Sequence, residues 1–347
     1  MVIKSRNLLD YNKEEIETLA KSFGQPKFRA AQLWDWLYKG AEFEEMTNLP
    51  ESFRKELSAH FTTGKLDIRT KLQSSADGTV KYLLGLGDGN FVESVLMKYK
   101  YGYSACVSTQ VGCKMGCTFC ASTQAGFVRN LTAGEILGQI LTMNADLRIR
   151  IGHIVMMGIG EPLDNYENVL EFMKKAQSGD GLGISYRNMS LSTCGLADQM
   201  VRLSEERLPI TLSVSLHSPF DTQRTEMMPV NRKYPLDKLL DACNIYILNT
   251  GRRVTYEYAL IEGVNDSKAH AARLVSLLKG KLCHVNLIPV NQVAGTGYEK
   301  ASKKNISAFQ EMLAGSGVNA TVRRTLGQDI EAACGQLRRA ADENRRQ

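Results

Sequence analysis

The chain has 347 residues, enough for about two domains or one large one. Apolar residues make up 43% and charged residues 23%, a balance that supports a sizeable core and excludes global disorder. The net charge of +6 suits an ordinary soluble enzyme or one with a polyanionic partner. The absence of a long apolar run or a signal-like N-terminus points to a cytoplasmic protein with no membrane span.

Residues 1–62 read as an N-terminal helical domain. Asn12 suits a helix cap, with Glu15 three residues on completing a capping box. The run Phe28–Leu37 has apolar residues at helical spacing, and Pro50 suits the first turn of a helix over Glu51–Phe61. Residues 63–100 read as a small β-hairpin extension, with strand-like runs Thr79–Leu86 and Phe91–Met97 around the turn signal Gly87-Asp88-Gly89-Asn90.

From residue 101 to 325 short apolar strands alternate with amphipathic helices. Strands are expected at 104–109, 153–157, 188–193, 210–216, 254–260 and 283–288. Helices are expected at 132–146, 166–177, 197–205, 236–249, 266–278 and 302–315, and Thr321–Arg324 suits a last strand. Six β/α units imply an α/β fold with a parallel sheet, either open or closed into a partial (β/α)6 barrel. In both cases the loops at the strand C-termini carry the chemistry. Residues 326–347 read as a C-terminal loop with a charged tail, although Ile330–Ala341 also has a helical pattern of its own.

Eight cysteines occur, an even count, but structural disulfides are not expected in a cytoplasmic chain of this length. The strongest signal is Cys113-Lys-Met-Gly-Cys117-Thr-Phe-Cys120. Zinc sites usually use C-x2-C pairs, two to a tetrahedron. Three thiolates in one loop leave a metal position open, which suits a [4Fe–4S] cluster with one iron free for a non-protein ligand. Gly112 and Gly116 let the backbone fold closely around it. Cys194, Cys243 and Cys283 read as packing residues. Glu93 lies in the apolar run Phe91–Met97, facing the same side as Val95 and Met97. A carboxylate there suits a proton acceptor, or an ion pair with an inward cation. Lys98-Tyr99-Lys100-Tyr101-Gly102-Tyr103 interleaves cations with aromatics. Arg323-Arg324 and the N-terminal Lys27, Arg29, Lys39 and Arg54 are further candidate RNA contacts.

The cysteine loop resembles that of the radical S-adenosylmethionine (SAM) superfamily. The resemblance implies that the open iron binds the amino and carboxylate groups of SAM, and that reduction cleaves SAM to a 5′-deoxyadenosyl radical. Gly158-Ile159-Gly160-Glu161-Pro162 then fits as a flexible backbone with one carboxylate for the ammonium group. A narrower resemblance, to the RlmN/Cfr family of radical SAM RNA adenine methyltransferases, covers almost the whole chain. It rests on Cys106–Thr123, Met156–Leu163, Leu191-Ser192-Thr193-Cys194-Gly195, Ser215-Leu216-His217, Ile288-Pro289-Val290-Asn291 and Ala332-Ala333-Cys334-Gly335-Gln336-Leu337, in that order. Val92–Val95 and the Phe28-Arg29-Ala30 helix match as well.

That resemblance implies a radical SAM barrel and a [4Fe–4S] cluster on Cys113, Cys117 and Cys120. It implies SAM contacts from Gly160, Glu161, Ser192, Ser215, Leu216, His217 and Asn291. It also implies a mechanism using two SAM per turnover. Cys334 is methylated first, the methyl is activated as a radical, and it adds to an sp² carbon of adenine. Glu93 takes the proton, and Cys106 cuts the enzyme–RNA crosslink by forming a disulfide with Cys334. The implied partners are 23S ribosomal RNA, with tRNA as a further substrate, and an electron donor such as flavodoxin or ferredoxin. The shared motifs leave C2 and C8 of the base open, with C2 the first expectation. A non-catalytic iron–sulfur carrier and a zinc-stabilised RNA-binding module are the rivals from other classes.

Overall fold

The computed structural model describes residues 6–337. The N-terminal segment forms α1 (Lys13–Ser22), α2 (Lys27–Leu37) and α3 (Glu51–His60). The capping box is present: Glu15 N donates to Asn12 Oδ1 at 2.9 Å and Asn12 N to Glu15 Oε2 at 2.7 Å. The buried faces of these helices, with Ile16, Leu33, Leu37 and Phe53, join the same continuous apolar core as the helices around the barrel. Gly134 N donates to Asp10 Oδ1 at 2.7 Å, and Lys175 Nζ donates to the Tyr11 carbonyl at 2.7 Å, which fixes the segment against the barrel's outer layer.

The extension has three strands rather than a two-strand hairpin: β1 (Asp67–Gln73), β2 (Val80–Gly85) and β3 (Phe91–Tyr99), paired antiparallel. The first carries the polar run Asp-Ile-Arg-Thr-Lys-Leu-Gln and is almost wholly exposed as an edge strand, so it has no apolar alternation to mark it. The extension is continuous with the barrel sheet, because β3 pairs with β4 (Gly102–Cys106).

From β4 the strands run parallel and each lies beside its predecessor in the chain: β5 (Ile151–Met156), β6 (Met189–Thr193), β7 (Thr211–Ser215), β8 (Val254–Leu260), β9 (Cys283–Pro289) and the short β10 (Ala320–Val322). The intervening helices are α4 (Ala133–Leu147), α5 (Tyr166–Gln177), α6 (Ala197–Glu205), α7 (Asp221–Met227), α8 (Leu236–Thr250), α9 (Lys268–Leu278) and α10 (Lys303–Gly315). These are the six expected β/α units, plus α7, which its polar sequence conceals. The sheet is curled, not flat. Arg323 Nη1, just past β10, lies 3.4 Å from Met157 Sδ, just past β5. Five strand spacings in a flat sheet would separate them by about 24 Å.

The two faces of the curled sheet differ. Ala105, Ile154, Leu191, Leu212, Val214, Tyr256, Val285 and Leu287 point outward into the core beneath the helices. The alternate positions are polar, and register aligns them: Ser192 with Ser213, Ser215 with Glu257, and Glu257 with Asn286. The interior is therefore a polar lumen that opens at the strand C-termini. Residues 326–337 run across this end without forming an α-helix. They are tied down by Gly327 N to Asp77 Oδ2 (2.9 Å), Ala121 N to the Gly335 carbonyl (2.8 Å) and Ser122 Oγ to the Leu337 carbonyl (2.7 Å). The charged tail past Leu337 lies outside the described residues, and among those described no helix is long and apolar enough to cross a membrane.

Candidate active site

The cysteine loop follows β4 and is pinched at its base by a two-residue antiparallel ribbon, Gln110–Val111 against Arg129–Asn130. Gly112 has φ +74°, and a Cβ there would lie 1.7 Å from the Gly126 carbonyl oxygen, so the neck of the loop admits only glycine. Thr118 N donates to the Met227 carbonyl at 3.0 Å, which ties the loop to the end of α7. Cys113, Cys117 and Cys120 then line one pocket at the barrel mouth. Burial pushes all three thiols up, Cys113 to about 12, so ligation must displace their protons. Among the described residues no three His, Cys, Asp or Glu side chains converge tightly enough to hold a single metal ion. Three thiols from one loop lining one pocket suit an iron–sulfur cluster with one iron open to another ligand.

The next wall is the Gly158–Pro162 loop after β5. Gly160 has φ +110°, and a Cβ there would sit 2.6 Å from Gln110 Cβ. Gln110 Oε1 accepts from Glu161 N at 2.9 Å, which locks this loop to the cysteine loop. The Glu161 carboxylate is buried and accepts from Cys194 N (2.7 Å) and Leu163 N (3.0 Å). Burial raises its pKa against these donors.

His217 lies beyond β7 in a left-handed conformation, φ +55°. Ala259 N donates to its Nδ1 at 2.9 Å, so the ring proton sits on Nε2. Burial and the Arg224 cation lower its pKa to about 3, which keeps the ring neutral at any working pH. Phe119 of the cysteine loop packs edge-on against this ring, centroids 4.7 Å apart. Two fully buried side chains hold the arrangement. Asn265 Nδ2 donates to the carbonyls of His217 (2.7 Å) and Ala259 (2.6 Å). Arg224 donates to the carbonyls of Cys194 (2.9 Å), Ser215 (3.0 Å) and Leu216 (3.2 Å), joining the ends of β6 and β7. Sequence reasoning missed both. Each is a lone polar residue in a polar stretch, and nothing short of the fold marks it as buried.

The pocket brings together Cys113, Cys117, Cys120, Gly160, Glu161, Ser192, Ser215, His217, Asn291 and Cys334. Leu216 does not line it. The residue is fully buried in the core, and its backbone N donates to the Glu257 carbonyl at 3.0 Å. An adjoining pocket is lined by Val95, Met97, Tyr99, Cys106 and Leu326, and shares Met157, Ile288, Asn291, Arg323 and Cys334 with the first. Asn291 Nδ2 donates to the Cys334 carbonyl at 3.0 Å, which holds this cysteine at the junction. Burial pushes the Cys106 thiol up to about 12, and Arg323 acts in the opposite direction.

Glu93 lines neither pocket. It is buried and paired with Lys81 Nζ at 3.3 Å, so the inward cation is a lysine from β2. Its backbone is tied to the site, since Ser108 Oγ donates to the Glu93 carbonyl (2.6 Å) and accepts from Ile159 N (2.9 Å). The Lys98–Tyr103 turn sits at the end of β4 away from the cysteine loop, with Tyr99 and Tyr101 stacked at 5.0 Å. Of that run, Tyr99 reaches the second pocket. Arg323 faces both pockets rather than solvent-side RNA alone.

A model of the radical SAM superfamily matches residues 107–275, which carry the cysteine loop and β5–β8. The fold and the site are those of a radical SAM enzyme, a superfamily that uses a [4Fe–4S] cluster and SAM. A second model, the ribosomal RNA large subunit methyltransferase N-terminal domain, matches residues 6–62. The chain is 51% identical over 337 residues to a probable dual-specificity RNA methyltransferase RlmN of Clostridium perfringens, covering 96% of this chain and 97% of the relative. The corresponding protein of Desulforamulus reducens is 50% identical over 335 residues, 96% of each chain. The crystal structure of a radical SAM methyltransferase from Sphaerobacter thermophilus superposes with a TM-score of 0.93 at 40% identity, over 96% of this chain and 99% of that one. The chain belongs to the RlmN family of radical SAM RNA methyltransferases.

Proposed function

We propose that this enzyme methylates C2 of an adenine in 23S ribosomal RNA, and in tRNA, through an S-methylcysteine on Cys334. One observation carries the reading: Cys334 stands where the pocket of the cysteine loop meets the pocket of Cys106. Cys113, Cys117 and Cys120 would hold a [4Fe–4S] cluster, which would supply the electron for reductive cleavage of SAM. Gly160, Glu161, Ser192, Ser215, His217 and Asn291 hold SAM, with Leu216 acting through its backbone. Neutral His217 offers one Nε2–H donor to it. Cys334 accepts a methyl group as a nucleophile, losing its thiol proton. It later carries the base as a thioether crosslink; the Cys106 thiolate attacks the Cys334 sulfur, the S–S bond forms as the S–CH2 bond breaks, and the electron pair of that bond passes to the base-bound carbon, which takes a proton and becomes the methyl group. Glu93 accepts the proton that leaves C2.

The target base must leave its stack to enter this mouth. Residues 1–62 are the proposed RNA-contacting domain, 63–100 the extension that carries Glu93, 101–325 the barrel and 326–347 the segment that carries Cys334. A flavodoxin or ferredoxin is the proposed electron donor, in the cytoplasm. The names of the relatives support an RNA methyltransferase of dual specificity, and C2 is the position proposed. The test is mass spectrometry of adenosine from 23S RNA and tRNA incubated with the reconstituted enzyme. The expected product is 2-methyladenosine. Appearance of 8-methyladenosine alone overturns the C2 assignment, and no methylated adenosine overturns the function.

A further inference from the structure

Glu257 is the one carboxylate besides Glu161 that lines the first pocket among the described residues, and nothing in the reading above uses it. It is 4% exposed and stands on the inner face of β8, three residues before the strand ends, so it forms part of the pocket floor. Asn286 Nδ2 donates to its Oε2 at 2.8 Å, with the Ser213 hydroxyl beside it. No Lys or Arg side chain forms an ion pair with it among the described residues. Burial raises its pKa, and the Arg323 cation acts in the opposite direction, as do the hydrogen bonds from Ser213 and Asn286. An ionised carboxylate has about four acceptor positions. The two donors, Asn286 and Ser213, leave further acceptor positions free on a carboxylate that lines the cavity, where an empty acceptor is costly.

The neighbours at this level define what it takes. Ser215 is in register with Glu257 on one side and Asn286 on the other, and Ser192 lies two strands away at the same face. A floor of hydroxyl, carboxylate and amide groups alternates donors with acceptors. That suits vicinal hydroxyls, each of which both donates and accepts, better than it suits a flat base. Surfaces fit for a base lie higher in the pocket, on Phe119, Met157, Ile288 and Val290.

We infer that Glu257 is a further ligand-binding residue, its carboxylate accepting hydrogen bonds from the ribose cis-diol of SAM; this rests on the proposed SAM site. The experiment is equilibrium dialysis of the reconstituted enzyme with SAM and with its 3′-deoxy analogue, for the native chain and Glu257→Gln. The native enzyme should bind the deoxy analogue at least roughly tenfold more weakly than SAM, as loss of a hydrogen bond to a buried charge requires. Glu257→Gln should bind SAM at least tenfold more weakly and no longer distinguish the two ligands, with RNA affinity and melting temperature unchanged. Equal affinity of the native enzyme for both ligands overturns the inference, and that arm needs no variant to fold. Retained SAM affinity in Glu257→Gln, or a loss of RNA affinity instead, also overturns it. If the native enzyme binds no SAM at all, the functional reading itself fails.

Discussion

The two ends of the site are built from different parts of the chain. The cluster end comes from loops at the ends of the parallel strands and is fixed by carbonyl-seeking side chains such as Arg224 and Asn265. The thiol end comes from the barrel's first strand β4, which carries Cys106, together with the antiparallel extension and the C-terminal segment, and Val95, Met97, Leu326 and Leu337 pack around Cys106 there. A radical source needs only the first. The second sets Cys106, Cys334 and the strand that carries Glu93 beside it, and the proposed covalent step belongs to this end. The division predicts that damage at one end separates cleanly from damage at the other.

The largest effects belong to the cluster end. Cys113→Ala, Cys117→Ala or Cys120→Ala should each abolish the iron–sulfur absorbance and reduce SAM cleavage to background, read by visible spectroscopy and by chromatography of 5′-deoxyadenosine. A single variant with a full cluster and native cleavage would remove the basis for the division. At the thiol end, Cys334→Ala should keep the cluster yet form no S-methylcysteine by intact-protein mass spectrometry, and yield no methylated RNA. Cys106→Ala should still load a methyl on Cys334 and attack the base. It should then stall as an RNase-sensitive, gel-shifted adduct. Normal turnover in Cys106→Ala would make it a packing residue like Cys243, which is fully buried on the inner face of α8.

The cluster end was legible in the sequence because its motifs are local. Three cysteines in eight residues and Gly-Ile-Gly-Glu at a strand end state their chemistry without the fold. The strands and helices of the barrel were legible for a related reason: outward positions such as Leu212, Val214, Val285 and Leu287 mark each strand against polar inward ones. The thiol end was legible through resemblance alone. Cys106 and Cys334 come to line one pocket only because the sheet curls, and no spacing encodes that. The edge strand Asp67–Gln73, helix α7 and the buried Arg224 escaped because their sequences are polar and their order comes from tertiary contacts. Glu93 was legible as an inward carboxylate, but its lysine partner was not, since Lys81 lies on the opposite strand of the hairpin.

That pair gives a smaller, sharper test. Lys81 and Glu93 are both nearly buried, with side chains 11% and 10% exposed, so the ammonium stabilises the ionised carboxylate with little screening. Lys81→Met removes that cation from beside the carboxylate. If Glu93 takes the proton from the base, Lys81→Met should slow RNA methylation about tenfold, read by mass spectrometry of the RNA, while SAM cleavage keeps its native rate. A loss in both rates would show that the extension acts on the whole site and not on the thiol end alone.

The smallest effect is thermodynamic and concerns Cys106. Its folded thiol is pushed up to about 12 by burial, above the ordinary value of 9.0. Above pH 9 the unfolded chain loses this proton while the folded chain keeps it, so the folded state binds more protons and stability falls as pH rises. Below pH 9 both states are protonated and the thiol contributes no slope. Between the two values the loss from this group is about 1.4 kcal/mol per pH unit. Cluster-free protein should therefore show a shallower loss of urea stability from pH 9 to pH 10 in Cys106→Ala than in the native chain, by about 1 kcal/mol. An unchanged slope would mean that Cys106 ionises freely, and that the thiol end is wetter than its apolar lining implies. A shallower slope gives Cys106 a mechanistic property as well. It stays protonated, and unreactive toward Cys334, until the arrival of substrate changes its surroundings.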